Sequence, residues 1–154
     1  MPEDPPRAVR VVTPDPLPLA VVRRTLRADE LQAVWPAALD EVWAFVRTHS
    51  LKAGRNVFVY RPFRDQLITL EAGVELFSPL PASDQVFSSQ TPTGRAVTAE
   101  HRGSYDGIPL AHAAIRRHCD AAGLQLAGPS WEVYGHYPAD QTPPLTEVFY
   151  LLAE

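Results

Sequence analysis

The stretch SLKAGRNVFVY at residues 50–60 has a counterpart in GLQLAGPSWEVY at residues 123–134. One inserted residue aligns both leucines, both glycines and both Val-Tyr pairs. Each stretch follows a segment with helical periodicity and is followed by a β-branched, aromatic segment. An equal order of elements around a repeated sequence indicates internal duplication. The sequence therefore predicts a single α+β domain of two duplicated βαββ units related by pseudo-twofold symmetry.

Four segments before the second helix predict strands, and one of them, residues 56–63, overlaps the repeat. Residues 17–26 follow a proline and are rich in valine and leucine, which favours a strand. Residues 56–63 and 66–77 are β-branched and aromatic and predict a hairpin with a turn at residues 62–65. Another strand is expected within residues 85–103, interrupted around Pro92 and Gly94.

Two helices are predicted from apolar residues that recur at spacings of three and four. The first has Asp29 as a candidate N-cap. Because a proline inside a helix removes a hydrogen bond, we expect a short turn up to Trp35 and the main helix over residues 36–48. The second helix is expected to open at Asp106 and to end at Gly123. Final strands are predicted at residues 130–137 and 146–152.

The first 16 residues are predicted to form a proline-rich arm, with the folded domain spanning residues 17–154. Six prolines fall among the first 18 residues, and prolines confine a strand to the edge of a sheet. A poorly ordered tail is therefore favoured over an edge strand around Val9, Val11 and Val12. Deleting residues 1–14 from such a tail should change the melting temperature by only a few degrees.

Composition limits the classes of function. The net charge is −4, which argues against direct contact with nucleic acid, because phosphate binding needs a basic face. The N-terminus lacks the features of a signal peptide, and no apolar stretch approaches a membrane span, so we expect a cytoplasmic protein without a membrane partner. Cys119 is the single cysteine, which suits a reducing compartment. The histidines lack metal-ligand spacing, and no metal or cofactor is predicted.

The second half carries the motifs His101-Arg-Gly-Ser-Tyr105, Trp131-Glu-Val-Tyr134 and Thr146-Glu-Val-Phe-Tyr150. They resemble motifs of the GyrI-like small-molecule-binding domain, which also serves as the effector-binding domain of multidrug-responsive transcription activators. The resemblance covers residues 100–152 by motif and residues 17–77 by pattern. It implies an antiparallel sheet with both helices on one face and a ligand groove on the other. The sequence departs from the activators because no helix-turn-helix or other DNA-binding module is predicted in it, so we expect a stand-alone effector-binding domain.

Strand alternation selects the candidate site. Glu132 and Tyr134 share one face of their strand, and we assign Trp131 and Val133 to the opposite, helix-covered face. A Glu in mid-strand is ordinarily a solvated residue, but the resemblance implies that Glu132 is a pocket acid. The repeat aligns Glu132 with Phe58 and Tyr134 with Tyr60, and the last strand and first helix add further candidates. The candidate ligand-binding residues are Trp43, Phe58, Tyr60, Glu132, Tyr134, Glu147 and Phe149.

An aromatic cleft with a carboxylate suits an organic cation or a flat aromatic molecule, since each ring face attracts a cation by about 0.5 to 2 kcal/mol. We therefore predict binding of a hydrophobic, cationic or aromatic small molecule for sensing or sequestration. The resemblance also leaves a hydrolase open, one that opens cyclopropane-bearing genotoxins with Glu132 or Glu147 as general base. A module that regulates another, unknown protein and a haem-binding domain are the remaining alternatives.

Overall fold

The computed structural model describes residues 9–135 and 144–154. It contains an α+β fold in which every strand pairing within its two compact units is antiparallel. The two long helices are α1 (Leu31–Thr48) and α2 (Ile108–Ala122), and each is preceded by one turn of 3-10 helix. The strands are β1 (Arg10–Val12), β2 (Pro18–Arg27), β3 (Ala53–Pro62), β4 (Leu67–Leu76), β5 (Phe87–Gln90), β6 (Ala96–Arg102), β7 (Leu126–Tyr134) and β8 (Leu145–Leu152).

The first unit spans Pro16–Thr91 and combines α1 with four strands in the order β3-β4-β2-β5. The predicted hairpin is present as β3 and β4, with Asp65 and Gln66 at positive φ in its turn. The buried side of α1 presents Ala38, Val42 and Val46. This helix packs on β2 and β4, so one face of the unit's sheet is covered by α1.

The second unit consists of the described parts of Met1–Asp15 and Pro92–Glu154. It combines α2 with strands in the order β1-β6-β8-β7. Gly123 ends α2 at φ 69°, a left-handed conformation that favours glycine, as the sequence predicted. The core between α2 and its strands comprises Val97, Ala99, Ile108, Ala111, Ile115, Cys119, Val148 and Leu152.

The two units share one topology. Each contains a strand, a helix and a hairpin, and the strand before the helix pairs with the second strand of that hairpin. An additional short strand lies at one edge of each sheet, β5 beside β2 and β1 beside β6. Equal topology supports the predicted duplication. The pseudo-twofold axis and the groove between the repeats stay predictions.

The first helix differs from the sequence-based expectation. It runs without interruption from Leu31 and contains Pro36, so the predicted turn before Pro36 is wrong. Pro36 lies in the second turn of α1, and because it has no N–H, the helix loses one hydrogen bond, the one to the carbonyl oxygen of Gln32. Burial of the apolar residues Ala38, Val42 and Val46 stabilises the helix despite this loss. Asp29 belongs to the preceding 3-10 turn and is not the N-cap of α1, a position that Glu30 occupies.

Two other boundaries shift in the second unit. Asp106 lies in the 3-10 turn Tyr105–Gly107, so α2 begins two residues later than predicted. The first of the two final strands begins at Leu126 rather than Ser130, with an irregularity in its pairing before Ser130. The last residues predicted for that strand, 136–137, lie outside the described part of the chain. Neither helix in the described part has the length and apolarity to cross a membrane.

The N-terminal arm contains a strand. Residues 10–12 form β1 and pair with residues 96–98 of β6, so the preference for a tail is wrong there and the edge-strand alternative is correct. Val9 packs against the core under α2. The prolines had suggested a tail because they exclude a central strand, but an edge strand needs hydrogen bonds on one side only. Residues 1–8 lie outside the described part.

Deleting residues 1–14 should therefore destabilise the protein. The deletion removes β1 and exposes apolar surface of the core beside Val9, for which we expect a loss of about 2 kcal/mol. The melting temperature should fall by about 4 to 8 °C. Differential scanning calorimetry tests this, with deletion of residues 1–8 as the control that leaves β1 in place. An unchanged melting temperature for both deletions would show that β1 contributes nothing to folding.

Candidate functional site

The carboxylate of Glu132 is buried on the face of β7 that α2 covers, and the residue is 5% exposed. The Tyr134 hydroxyl donates to its Oε1 at 2.8 Å, and Nε2 of His112 on α2 lies 2.6 Å from its Oε2. Burial of a carboxylate is costly unless hydrogen bonds compensate for the lost water, and both oxygens have such bonds. Glu132 is therefore an inward-facing acid and not a solvated mid-strand residue.

A chain of hydrogen bonds continues from His112 toward the surface. Its Nδ1 lies 2.6 Å from the hydroxyl of Tyr150 on β8, and Arg116 Nη1 donates to that same hydroxyl at 3.0 Å. Arg116 is exposed, one turn after His112 on α2. A continuous path of polar contacts thus joins an exposed guanidinium to a buried carboxylate.

Both tyrosines of this cluster remain protonated at neutral pH. Burial raises the pKa of Tyr134 far above its usual value, and the charge of Glu132 and the hydrogen bond to it raise this pKa further. Burial also raises the pKa of Tyr150, as does Glu132, while the charge and hydrogen bond of Arg116 oppose the shift. The two phenols therefore act as neutral hydrogen-bonding groups beside the acid.

Aromatic rings border this cluster on the same side of the sheet. Tyr105 packs edge-on against Tyr134 with ring centroids 5.3 Å apart, and the rings of His112 and Tyr150 meet in the same way at 5.5 Å. Tyr105 is 39% exposed, so its ring also contacts solvent. A carboxylate bordered by several aromatic side chains is suited to an organic cation.

The predicted assignment of strand faces is inverted. Glu132 contacts His112 of α2, and Tyr134 packs against the core under that helix, whereas Trp131 was expected there. Trp131 instead stacks on Phe149 on the opposite face, with centroids 5.1 Å apart and an interplanar angle of 8°. Alternation identified which residues share a face but not which face meets the helix. His112, which helps to compensate for the burial of the Glu132 carboxylate, lies 20 residues before Glu132 in the sequence.

Glu147 and Phe149 lie on the other face of their strand. The register pairs Phe149 with Trp131 and Glu147 with Val133, so neither shares a face with Glu132. Phe149 is buried in its stack with Trp131. A ligand-binding role for these two residues stays a prediction, and it would place the ligand on the face of the sheet opposite Glu132.

The first-unit candidates lie beside α1. Trp35 packs edge-on against Phe58 with centroids 5.8 Å apart, and Trp43 Nε1 donates to Asn56 Oδ1 at 2.9 Å. Tyr60 follows Phe58 by two residues on β3 and shares its face. Phe58 and Tyr60 thus lie on the helix side of their unit, as Glu132 and Tyr134 do in theirs, and not on the face opposite the helices where the groove was predicted. A common site formed by all four stays a prediction.

The sequence-based reasoning did not identify His112, Tyr150, Arg116 or Tyr105 as site residues. His112 and Arg116 are four residues apart on α2, and each directly follows a buried residue, Ala111 and Ile115 respectively. Polar residues at this helical spacing beside an apolar stripe were the available signal. Among the described residues, no group of three or more His, Cys, Asp or Glu side chains could hold a metal ion.

A second buried acid, Glu71, lies on β4. Arg23 Nε donates to it at 2.7 Å, Ser89 Oγ at 2.9 Å and Arg61 Nη2 at 3.3 Å. Burial raises the pKa of Glu71, but these hydrogen bonds and the two positive charges outweigh burial and leave the pKa below its usual value. Two permanent cations, Arg23 and Arg61, therefore balance the charge of Glu71.

One protein-family model matches most of the chain. It describes the GyrI-like small-molecule-binding domain and matches residues 7–152, a range that includes β1 and extends over both units. No curated protein matches the sequence significantly.

Three solved structures illustrate the shared fold. The C-terminal domain of EcmrR has a TM-score of 0.71 at 14% identity, and the match covers 96% of this chain and 98% of that one. SAV2435 bound to tetraphenylphosphonium has a TM-score of 0.68 at 11% identity, with 95% and 94% covered. A hydrolase from Listeria innocua has a TM-score of 0.57 at 11% identity, with 97% and 94% covered.

Proposed function

The chain belongs to the GyrI-like small-molecule-binding domain family, and from this we propose that it binds a hydrophobic organic cation through Glu132. The observation that carries the proposal is the buried carboxylate of Glu132, which contacts His112 and Tyr134 on the α2 side of β7. Burial strengthens the attraction between this carboxylate and a ligand cation. Tyr105 and Tyr134 supply aromatic surface next to it.

The energetics favour a cation with bulky apolar groups. A charged partner in a partly desolvated site interacts with a carboxylate more strongly than in water. Aromatic faces add about 0.5 to 2 kcal/mol each, and apolar groups gain about 25 cal/mol for each Å² removed from water. The similar structure of SAV2435, bound to tetraphenylphosphonium, supports this ligand class. Sensing and sequestration would both use such a site.

Calorimetric titration at pH 8 tests the charge preference. Tetraphenylphosphonium is compared with triphenylphosphine oxide, a neutral molecule with three of the same phenyl groups. We expect at least tenfold tighter binding of the cation, because only the cation interacts with the carboxylate as an ion. Equal affinity for both compounds, or binding of neither, would contradict the proposal.

A hydrolase remains the second candidate function. Glu132 and His112 form a carboxylate–imidazole contact of 2.6 Å, and such a pair can accept a proton from water. The structural likeness to a hydrolase from Listeria innocua favours this alternative at the level of the fold. Incubation with a cyclopropane-bearing genotoxin followed by mass spectrometry decides it. A product carrying one added molecule of water, lost in Glu132→Gln, would support hydrolysis, and recovery of intact compound would exclude it for that substrate.

The remaining expectations about partners rest on composition. The acidic excess lies in the second half of the chain, with eight acidic against four basic residues over 78–154. This half contains the proposed site, and its charge favours a cationic small molecule over a phosphate backbone. Absence of direct contact with nucleic acid therefore stays our prediction.

A further inference from the structure

We propose that Thr146 is a specificity-determining residue of the Glu132 site, and that its buried hydroxyl forms a hydrogen bond with a polar group of the ligand. The favoured ligand is then an organic cation that also carries a hydroxyl, an amide or a similar group. The inference rests on the proposed function, because it assigns a further contact to the same site. The state of the hydroxyl in the free protein can be measured without any ligand.

The Thr146 hydroxyl is buried without a hydrogen bond. Thr146 is 0% exposed, and its Oγ1 has no hydrogen-bond partner among the residues that the structure describes. A buried hydroxyl without a partner destabilises the folded state, because it has given up its hydrogen bonds to water. Valine has the same branched shape without this cost, so folding gains nothing from the hydroxyl at this position.

The cross-strand neighbours of Thr146 make their hydrogen bonds to other groups. The register places Thr146 between His101 on β6 and Tyr134 on β7. Nε2 of His101 lies 2.6 Å from the Ser104 carbonyl oxygen, and the Tyr134 hydroxyl donates to Glu132 at 2.8 Å. Neither neighbour bonds to the Thr146 hydroxyl, which is therefore available to a polar group of a ligand.

Thr146 lies on the same face of the sheet as the Glu132 carboxylate. It is directly opposite Tyr134, and residues paired across two strands share a face. Tyr134 packs edge-on against Tyr105, whose ring also contacts solvent. The residue opposite Glu132 is Val148, two residues after Thr146 on β8, so the two levels of the sheet are about 7 Å apart. A ligand whose polar group lies about that far from its cationic centre would contact both Thr146 and Glu132.

A second buried threonine of the same unit provides a matched control for stability. Thr98 on β6 is 3% exposed, and its hydroxyl donates to the Val148 carbonyl oxygen at 2.8 Å. Without a ligand, Thr98→Val should lower the melting temperature by about 2 to 4 °C, because it loses a hydrogen bond, whereas Thr146→Val should raise it by about as much. Differential scanning calorimetry measures both shifts. A fall in Thr146→Val like that in Thr98→Val would show that the hydroxyl is already bonded within the protein, and would overturn the inference.

The binding test compares two cations of equal charge and nearly equal shape by calorimetric titration at pH 8. One is triphenylphosphonium with a 4-(hydroxymethyl)phenyl group, and the other has a 4-ethylphenyl group, in which a methyl group replaces the hydroxyl. In the wild type we expect the hydroxymethyl compound to bind about fivefold to tenfold more tightly, because the ethyl compound leaves the Thr146 hydroxyl unpaired. This preference should vanish in Thr146→Val. It should persist in Thr146→Ser, which retains the hydroxyl, and in Thr98→Val.

The outcomes separate this inference from the proposed function. If both cations bind and the preference is the same in Thr146→Val as in the wild type, Thr146 does not contact the ligand, while the proposed function stands. If neither cation binds to the wild type, the proposed function and the ligand contact of Thr146 are both contradicted. Equal loss of binding for the two cations in Thr146→Val would assign the residue a structural role and would also overturn the inference.

Discussion

Replacing Glu132 with Gln should weaken tetraphenylphosphonium binding about 10- to 150-fold at pH 8, with little change for triphenylphosphine oxide. The phosphonium has no hydrogen to donate, so its attraction to the carboxylate is Coulombic, about 1 kcal/mol at 4 Å in water and about 4 kcal/mol at an effective dielectric constant near 20, and this range includes the expected ratio. Glutamine keeps the shape of the side chain and an oxygen that can accept from Tyr134 or His112. The substitution therefore removes the charge and replaces one of the two acceptor oxygens with an amide NH2 group.

Asp120→Asn is the matched control for this substitution. Asp120 is an exposed residue of α2, and its replacement removes one negative charge from the same unit without touching the cluster. We expect this control to bind both compounds as the wild type does, apart from a small effect that disappears in higher salt. Equal losses for the cation and the neutral compound in Glu132→Gln would assign the residue a role in shape alone.

Replacing Trp131 with Ala should lower the free energy of unfolding by about 3 to 5 kcal/mol, the usual cost of deleting a buried large aromatic side chain. Trp131 is 2% exposed and stacks on Phe149, so the substitution leaves a cavity on the face of β7 opposite Glu132. Urea denaturation followed by circular dichroism measures the loss. Trp35→Ala is the comparison, because Trp35 is only half-buried and should cost clearly less.

The same variant separates folding from binding. If Trp131 and Phe149 form core and not ligand surface, Trp131→Ala should keep the preference for tetraphenylphosphonium over triphenylphosphine oxide wherever the protein is folded. A change in stability of less than about 1 kcal/mol would show that this face is not tightly packed. A selective loss of cation binding without loss of stability would show that the ligand binds on the face of Trp131 and Phe149.

Local patterns predicted most of the fold because they act over short distances. The β3–β4 hairpin, the break between β5 and β6 and the end of α2 at Gly123 each depend on turn-forming or helix-ending residues next to the element. The repeat that links residues 50–60 with 123–134 predicted equal topologies, and both units have them. The predicted break at Pro36 is wrong because burial of the apolar residues of α1 outweighs the hydrogen bond that the proline removes.

The candidate site was predictable only in part. Glu132 and Tyr134 followed from a motif and from alternation, and they do contact each other. Which face meets α2 depends on His112 and Tyr150, which lie 20 and 18 residues away from Glu132 along the chain. The pairing of β1 with β6 is likewise non-local, across more than 80 residues. A single sequence without such distant pairings cannot choose between the two faces.

A crystal structure of the protein with tetraphenylphosphonium tests the role of Glu132 most directly. We predict that the phosphonium lies on the α2 side of β7, with the Glu132 carboxylate as its nearest charged group and the ring of Tyr134 or Tyr105 in contact with a phenyl group. A phosphonium bound on the opposite face beside Glu147 and Phe149, with Glu132 still enclosed by His112 and Tyr134 and out of contact with it, would contradict that role.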